Sequence, residues 1–144
     1  MLVRDVMKSR LEVIDPSQTL AEAARKMRDA DVGSLPVVED AKLIGMITDR
    51  DIVIRCVAEG ADPNATPVRQ AASDDVVHCV VDQSVEDASK IMAAAKVRRL
   101  PVIDHDRRLV GIVALGDISR EGSSMEAGEA LYDISEPTRP ARTI

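Results

Sequence analysis

The spacing of apolar residues changes twice along the chain, and the same changes recur in the same order. Two short β-prone runs, Glu12-Val13-Ile14 and His78-Cys79-Val80-Val81, are each followed by turn and helix-start signals, Asp15-Pro16-Ser17 and Asp82-Gln83-Ser84. The apolar residues then take helical spacing: Leu20, Ala23, Ala24 and Met27 in one place, Val85, Ala88, Ile91 and Met92 in the other. Next come Leu35-Pro36-Val37-Val38 and Leu100-Pro101-Val102-Ile103, which read as strands with a proline tolerated at the start. Polar turns (Glu39-Asp40-Ala41-Lys42; Asp104-His105-Asp106-Arg107-Arg108) lead into second strands ending in Gly45-Met46-Ile47 and Gly111-Ile112-Val113. Each pattern closes on a short helix, Asp51–Val57 or Asp117–Arg120.

The two patterns match residue by residue. Leu20, Glu22, Ala23, Met27 and Val32 fall on Val85, Asp87, Ala88, Met92 and Val97, and Asp51-Ile52 falls on Asp117-Ile118. Such an ordered series marks an internal repeat. Each copy reads β-α-β-β-α, and a three-strand sheet of that size buries too little surface to stand alone. Two copies with their sheets packed face to face solve that problem. The repeats are assigned to residues 1–60 and 61–121, joined by a Gly- and Pro-containing linker at 59–67, with a tail at 122–144. In the tail Met125–Ile134 reads as a short helix, and Ser135–Ile144 as a frayed end.

Composition narrows the function. Apolar residues make up 45% of the 144 and aromatics 1%, so the core must be aliphatic. A net charge of −6 and the lack of stacking platforms argue against nucleic acid as a partner. No apolar run approaches the roughly 20 residues of a membrane span, and the first residues carry no signal-peptide block; a cytoplasmic location without a membrane partner is the expectation. Cys56 and Cys79 read as buried apolar fillers. His78, Cys79, His105 and Asp106 match no compact zinc spacing, so no metal is expected. No nucleophile–base set, P-loop or dinucleotide fingerprint is visible, and the chain does not read as an enzyme.

Gly45-Met46-Ile47-Thr48-Asp49-Arg50-Asp51, ending a repeat of this kind, resembles the CBS domain, and the resemblance runs from Arg4-Asp5-Val6-Met7 to about Arg120. The run Thr48–Arg55 with the Ala61-Asp62-Pro63-Asn64 linker is similar to small stand-alone CBS-pair proteins of actinobacteria, among them hypoxia- and stress-response proteins. The resemblance implies an α/β fold of the α+β type, with two repeats packed sheet to sheet about a pseudo-two-fold axis. It also implies a homodimer and a regulatory ligand containing adenosine (AMP, ADP, ATP or S-adenosylmethionine) bound in clefts between the repeats. No required cofactor follows. Without an attached effector, such a sensor would signal to a separate, unidentified protein partner, and the acidic stretch Glu126 to Glu136 is a candidate contact for it. The alternative is a ligand-free dimeric scaffold or stress-response protein.

The binding candidates have physical roles beside the resemblance. A carboxylate such as Asp51 accepts from both hydroxyls of a ribose, and Thr48 beside it can donate or accept. The competing reading is that Thr48 or Asp49 only caps the following helix. Arg50 lies within the same motif. The second repeat keeps the aspartate, Asp117, but has Ala114 in place of the threonine, so the two copies cannot be equivalent. Arg98 and Arg99, in the basic cluster Lys96-Val97-Arg98-Arg99, are candidates for phosphate oxygens or, equally, a solvated charged helix end; their counterparts Gly33-Ser34 are uncharged, with Gly33 read as a helix cap. An adenine slot would have to be aliphatic, with Ile14, Val37 and Ile47 as candidate walls, although for any single one of them plain core packing is the commoner role.

Overall fold

The computed structural model describes residues 1–121 and 124–136. In chain order the elements are α1 (Val3–Val6), α2 (Leu20–Ala30), β1 (Ser34–Glu39), β2 (Lys42–Thr48), α3 (Asp49–Ile52), β3 (Cys79–Val80), α4 (Val85–Ala95), β4 (Arg99–Ile103), β5 (Leu109–Ala114), α5 (Leu115–Glu121) and α6 (Ser124–Ser135). A π-helical turn over Val53–Val57 continues α3, so the helix expected at Asp51–Val57 starts two residues early and changes its winding midway. The fold is mixed α/β, with small sheets and covering helices.

The long helices start where their side chains can satisfy free N–H groups. Thr19 Oγ1 accepts from the Glu22 N–H at 3.2 Å, and Glu22 returns a carboxylate to the Thr19 N–H at 2.9 Å. This reciprocal cap places the start of α2 beyond the expected Asp15-Pro16-Ser17 signal, which instead forms a turn closed by the Ser17 N–H on Asp15 at 2.8 Å. Ser84 caps α4 as read, accepting from the Asp87 N–H at 3.0 Å. Both helices end on a left-handed residue, Asp31 (φ 54°) and Lys96 (φ 56°). The cap assigned to Gly33 is therefore made by Asp31.

The chain divides into two compact units that do not follow the contiguous repeats. One comprises Arg10–Val76 with His105–Leu109; the other comprises Met1–Ser9, Val77–Asp104 and the chain from Val110 on. The segment that opens each repeat thus completes the core of the other copy. In the unit holding β3, β4 and β5, the Val3 and Arg4 N–H groups donate to Gln83 and Val81 carbonyls, and Lys8 exchanges two hydrogen bonds with Ile112. In the unit holding β1 and β2, residues of the 59–67 linker and its continuation do the same work. Leu20 donates to Thr66, Val68 to Gln18, and Ser73 exchanges two hydrogen bonds with Met46. The linker is thus built into the fold.

Each unit has its own aliphatic core. Ile14, Leu20, Ala23, Met27, Leu35, Val37, Ile47 and Val68 form one; Val3, Met92, Leu100, Val102, Val113 and Ile118 belong to the other. Ala24, read as part of the α2 stripe, is exposed. The sheets differ as well. β3, β4 and β5 make three strands, with β3 parallel to β4. In the other unit β1 pairs antiparallel with β2, and the strand expected at Glu12-Val13-Ile14 shrinks to one parallel bridge between Ile14 and Val37. The ladder stops there because its next two bonds would need N–H groups from Pro36 and Pro16, which have none; the Val13 carbonyl faces away and accepts from the Lys26 ammonium at 2.6 Å.

In the tail, Met125–Ile134 is helical as expected, within α6. Ala127 and Ala130 of this helix are buried in the core, and Lys96 donates to the carbonyls of Asp133 and Glu136 at its end, at 2.9 and 3.0 Å. The frayed end expected at Ser135–Ile144 falls from residue 137 onward outside the described residues.

Candidate nucleotide-binding site

The Gly-h-h-Thr-x-x-Asp motif lies where β2 runs into α3, and its two polar residues lock that turn. Thr48 Oγ1 accepts from the Asp51 N–H at 3.0 Å, while Asp51 Oδ2 accepts from the Thr48 N–H at 2.9 Å. The capping reading is thus realised. It uses one lone pair on each side-chain oxygen, and a carboxylate offers about four acceptor directions. Asp51 Oδ1 has no partner among the described residues, and Asp51 is only part-buried. Arg50, next in the motif, is exposed. The turn therefore presents a fixed, partly open carboxylate with the Thr48 hydroxyl beside it.

Ile14, Val37 and Ile47 belong to the core cluster of the same unit, exposed by 1%, 1% and 0%. Their side chains face other core residues. They fix β1 and β2 in place, and the surface around the motif is shaped by what they support.

In the other unit the same turn joins β5 to α5. Asp117 Oδ2 accepts from the Ala114 N–H at 3.0 Å, the counterpart of the Asp51 bond, but Ala114 has no hydroxyl to return it. Asp117 Oδ1 accepts from Arg120 Nη2 at 3.0 Å, and the Lys8 ammonium is 4.0 Å away. Asp117 is 4% exposed. Arg98 and Arg99 are exposed at the start of β4, and the Arg98 carbonyl accepts from the Leu115 N–H at 2.9 Å, which brings it beside the first residue of α5. Lys96, the other strong base of that cluster, is engaged with the end of α6. So the structure joins Thr48 and Asp51 in one turn, with Arg50 exposed between them, and brings the backbone of Arg98 to the turn that holds Asp117 in the other unit. Sequence reading missed the two cations on Asp117. The three-residue spacing of Asp117 and Arg120 was a visible signal; Lys8 had none.

Both cysteines are free and buried, Cys56 in one core and Cys79 in the other. Burial pushes the Cys79 thiol up to about 12, so it stays protonated. Among the described residues no group of three or more His, Cys, Asp or Glu is placed to hold a metal ion. No helix among them is long and apolar enough to cross a membrane.

The CBS domain model matches residues 3–57 and 68–124 of this chain. The chain belongs to the CBS domain family. Its tandem CBS domains are similar to the CBS domain-containing protein YhcV of Bacillus subtilis, 46% identical over 134 residues that cover 92% of this chain and 94% of YhcV. They are also similar to hypoxic response protein 1 of Mycobacterium tuberculosis, 41% identical over 118 residues, 81% of this chain and 82% of that one. A crystal structure of Hypoxic Response Protein I with two coordinated zinc ions superposes with a TM-score of 0.77 at 38% identity, covering 84% of this chain and 98% of that one. A crystal structure of CBSX2 in complex with AMP superposes with a TM-score of 0.74 at 26% identity, covering 87% of this chain and 98% of that one. The chain is a CBS-pair regulatory module.

Proposed function

We propose that this CBS pair senses an adenosine-containing nucleotide (AMP, ADP, ATP or S-adenosylmethionine) and passes its binding to a separate protein in the cytoplasm, without catalysing a reaction. One observation carries the reading: Asp51 is held rigid by the Thr48 N–H through one oxygen and keeps the other without a partner among the described residues. A carboxylate fixed in this way is preorganised to accept the two hydroxyls of a ribose. Arg50, and Arg98 with Arg99, are exposed and carry the forked charge that suits phosphate. Ile14, Val37 and Ile47 serve from below as the packed floor of the site. The AMP bound by CBSX2 supports the ligand class. A ligand can shift this module between states only if it prefers one of them, so signalling requires a conformer that a nucleotide selects.

A second reading, a ligand-free homodimeric scaffold in a stress response, draws on Val53, Ile54 and Val57. These residues expose an apolar face, 54%, 50% and 62% open, on the π-helical turn. The relation to hypoxic response protein 1 is consistent with either reading.

Calorimetric titration with AMP, ADP, ATP, NAD and S-adenosylmethionine separates them, run on the wild type and on Asp51→Asn. Asparagine keeps a carbonyl for the Thr48 N–H and removes the second acceptor and the charge, so the fold survives while the site does not. Saturable binding by one adenosine ligand, lost in Asp51→Asn, is the expected result. Binding unchanged in Asp51→Asn moves the site elsewhere, and no binding by folded protein leaves the scaffold.

A further inference from the structure

The two CBS repeats share a backbone plan but not the surroundings of their carboxylates. The bridge between Met46 and Ser73 corresponds to the bridge between Ile112 and Lys8. Ser73 therefore occupies, in one unit, the place of Lys8 in the other. Three residues after each aspartate stand Ile54 and Arg120. Asp51 is thus flanked by an uncharged pair, and Asp117 by two cations aimed at one oxygen, Arg120 at 3.0 Å and Lys8 at 4.0 Å.

We infer that Arg120 is an intramolecular plug: it occupies the acceptor oxygen of Asp117 that a ribose diol would need, and so limits the chain to one nucleoside, at Asp51. The inference rests on the proposed nucleotide reading and deepens it. The exposures show the layering. The Asp117 side chain is 6% exposed and that of Arg120 is 67% exposed, so the arginine head lies outward of the carboxylate. Its other terminal nitrogen covers Gly116, 3.2 Å from where a Cβ would stand. Asp117 Oδ2 is already spent on the Ala114 N–H. A diol arriving at Asp117 must therefore contend for Oδ1 with a charge-assisted hydrogen bond whose donor is tethered one helical turn away. Such a donor competes at high effective concentration, and a neutral hydroxyl is the weaker partner. Among the described residues no side chain donates to Asp51 Oδ1, and Ile54 carries no donor.

The test counts bound ligand per chain by equilibrium dialysis, using adenosine as well as AMP. Adenosine reads the diol alone, free of any attraction between phosphate and arginine. Four proteins are compared: wild type, Asp51→Asn, Arg120→Ala, and the Asp51→Asn/Arg120→Ala double variant. Arg120→Met, which keeps the aliphatic stem, replaces Arg120→Ala if alanine leaves the protein unfolded. The expected result is one adenosine per wild-type chain and two per Arg120→Ala chain. The double variant should bind about tenfold or more tightly than Asp51→Asn alone, the worth of one hydrogen bond to a charged group. One adenosine per chain in Arg120→Ala, with the double variant no better than Asp51→Asn, overturns the plug and leaves the Asp51 site standing. Binding by the double variant with none by wild type keeps the plug and overturns the Asp51 site. Loss of existing AMP binding in Arg120→Ala also overturns the plug, since Arg120 would then be a ligand contact.

Discussion

The turns ending β2 and β5 are two solutions to one problem: an aspartate must hold the strand-to-helix corner in place. At Asp51 the corner is closed by a reciprocal pair of hydrogen bonds with Thr48, and the carboxylate is left half free. At Asp117 only one of those bonds remains, and cations from α5 and from the N-terminal segment take up the carboxylate. The lesson is that a duplicated motif diverges through its neighbours as much as through its own residues. Ala114 is a change inside the motif; Arg120 and Lys8 are changes around it.

The comparison breaks most easily at the crossing of the exchanged segments. A Cβ on Gly45 would lie 2.8 Å from the Ser73 carbonyl oxygen, and one on Gly111 would lie 2.5 Å from Met7 Sδ and 3.0 Å from the Lys8 carbonyl oxygen. Backbone oxygen cannot swing aside, whereas a thioether can. Gly45→Ala should therefore cost about 3 kcal/mol and Gly111→Ala about 1–2 kcal/mol in urea melts, the usual range for overpacking. Losses under about 0.5 kcal/mol for both, the level of a neutral surface change, would mean that these crossings are loose and that the two corners are not held by their exchanged partners.

The repeat, the helices and the L-P-V strands were legible because apolar spacing and local caps are written in neighbouring residues. The exchange of opening segments was not. Val3-Arg4 and Val68-Arg69 look alike, and nothing in a sequence says which of two similar cores such a segment completes. The strand at Glu12-Val13-Ile14 was over-read for a similar reason: only the register, with Ile14 opposite Val37, sets the Glu12 carbonyl against Pro36, which has no N–H to give. Of the candidate site, Thr48 and Asp51 were visible, and the capping role read for Thr48 is realised. The burial of Ile14, Val37 and Ile47, and the engagement of Lys96 with α6, depend on tertiary packing alone.

A smaller effect sharpens the contrast between the carboxylates. Asp117→Ala leaves the Ala114 N–H without its acceptor in a part-buried corner and should cost about 2 kcal/mol. The ion pair itself adds little to that figure, because the Arg120 head is mostly solvated. Asp51→Ala likewise orphans the Thr48 N–H, but at a more open side chain than Asp117 and with the Thr48 hydroxyl still capping the helix, and should cost about 1 kcal/mol. Thermal or urea denaturation of both variants reads the difference. Equal losses would show that burial and Arg120 give Asp117 no structural role beyond that of Asp51, and the asymmetry would then be one of access only.

The smallest change separates the two causes of that asymmetry. Ala114→Thr installs the missing hydroxyl within reach of the Asp117 N–H, as Thr48 reaches that of Asp51 at 3.0 Å. It should raise stability by about 0.5–1 kcal/mol, the worth of a helix cap. It should not create a second nucleoside site, because the restored hydroxyl leaves Arg120 on the outer oxygen. If Ala114→Thr alone brings adenosine binding to two per chain, the missing hydroxyl was the whole cause and the arginine yields freely to a ligand. If binding stays at one while stability rises, the cap and the site come apart: the threonine shapes the corner, and the residue three positions past the aspartate decides whether the corner is open.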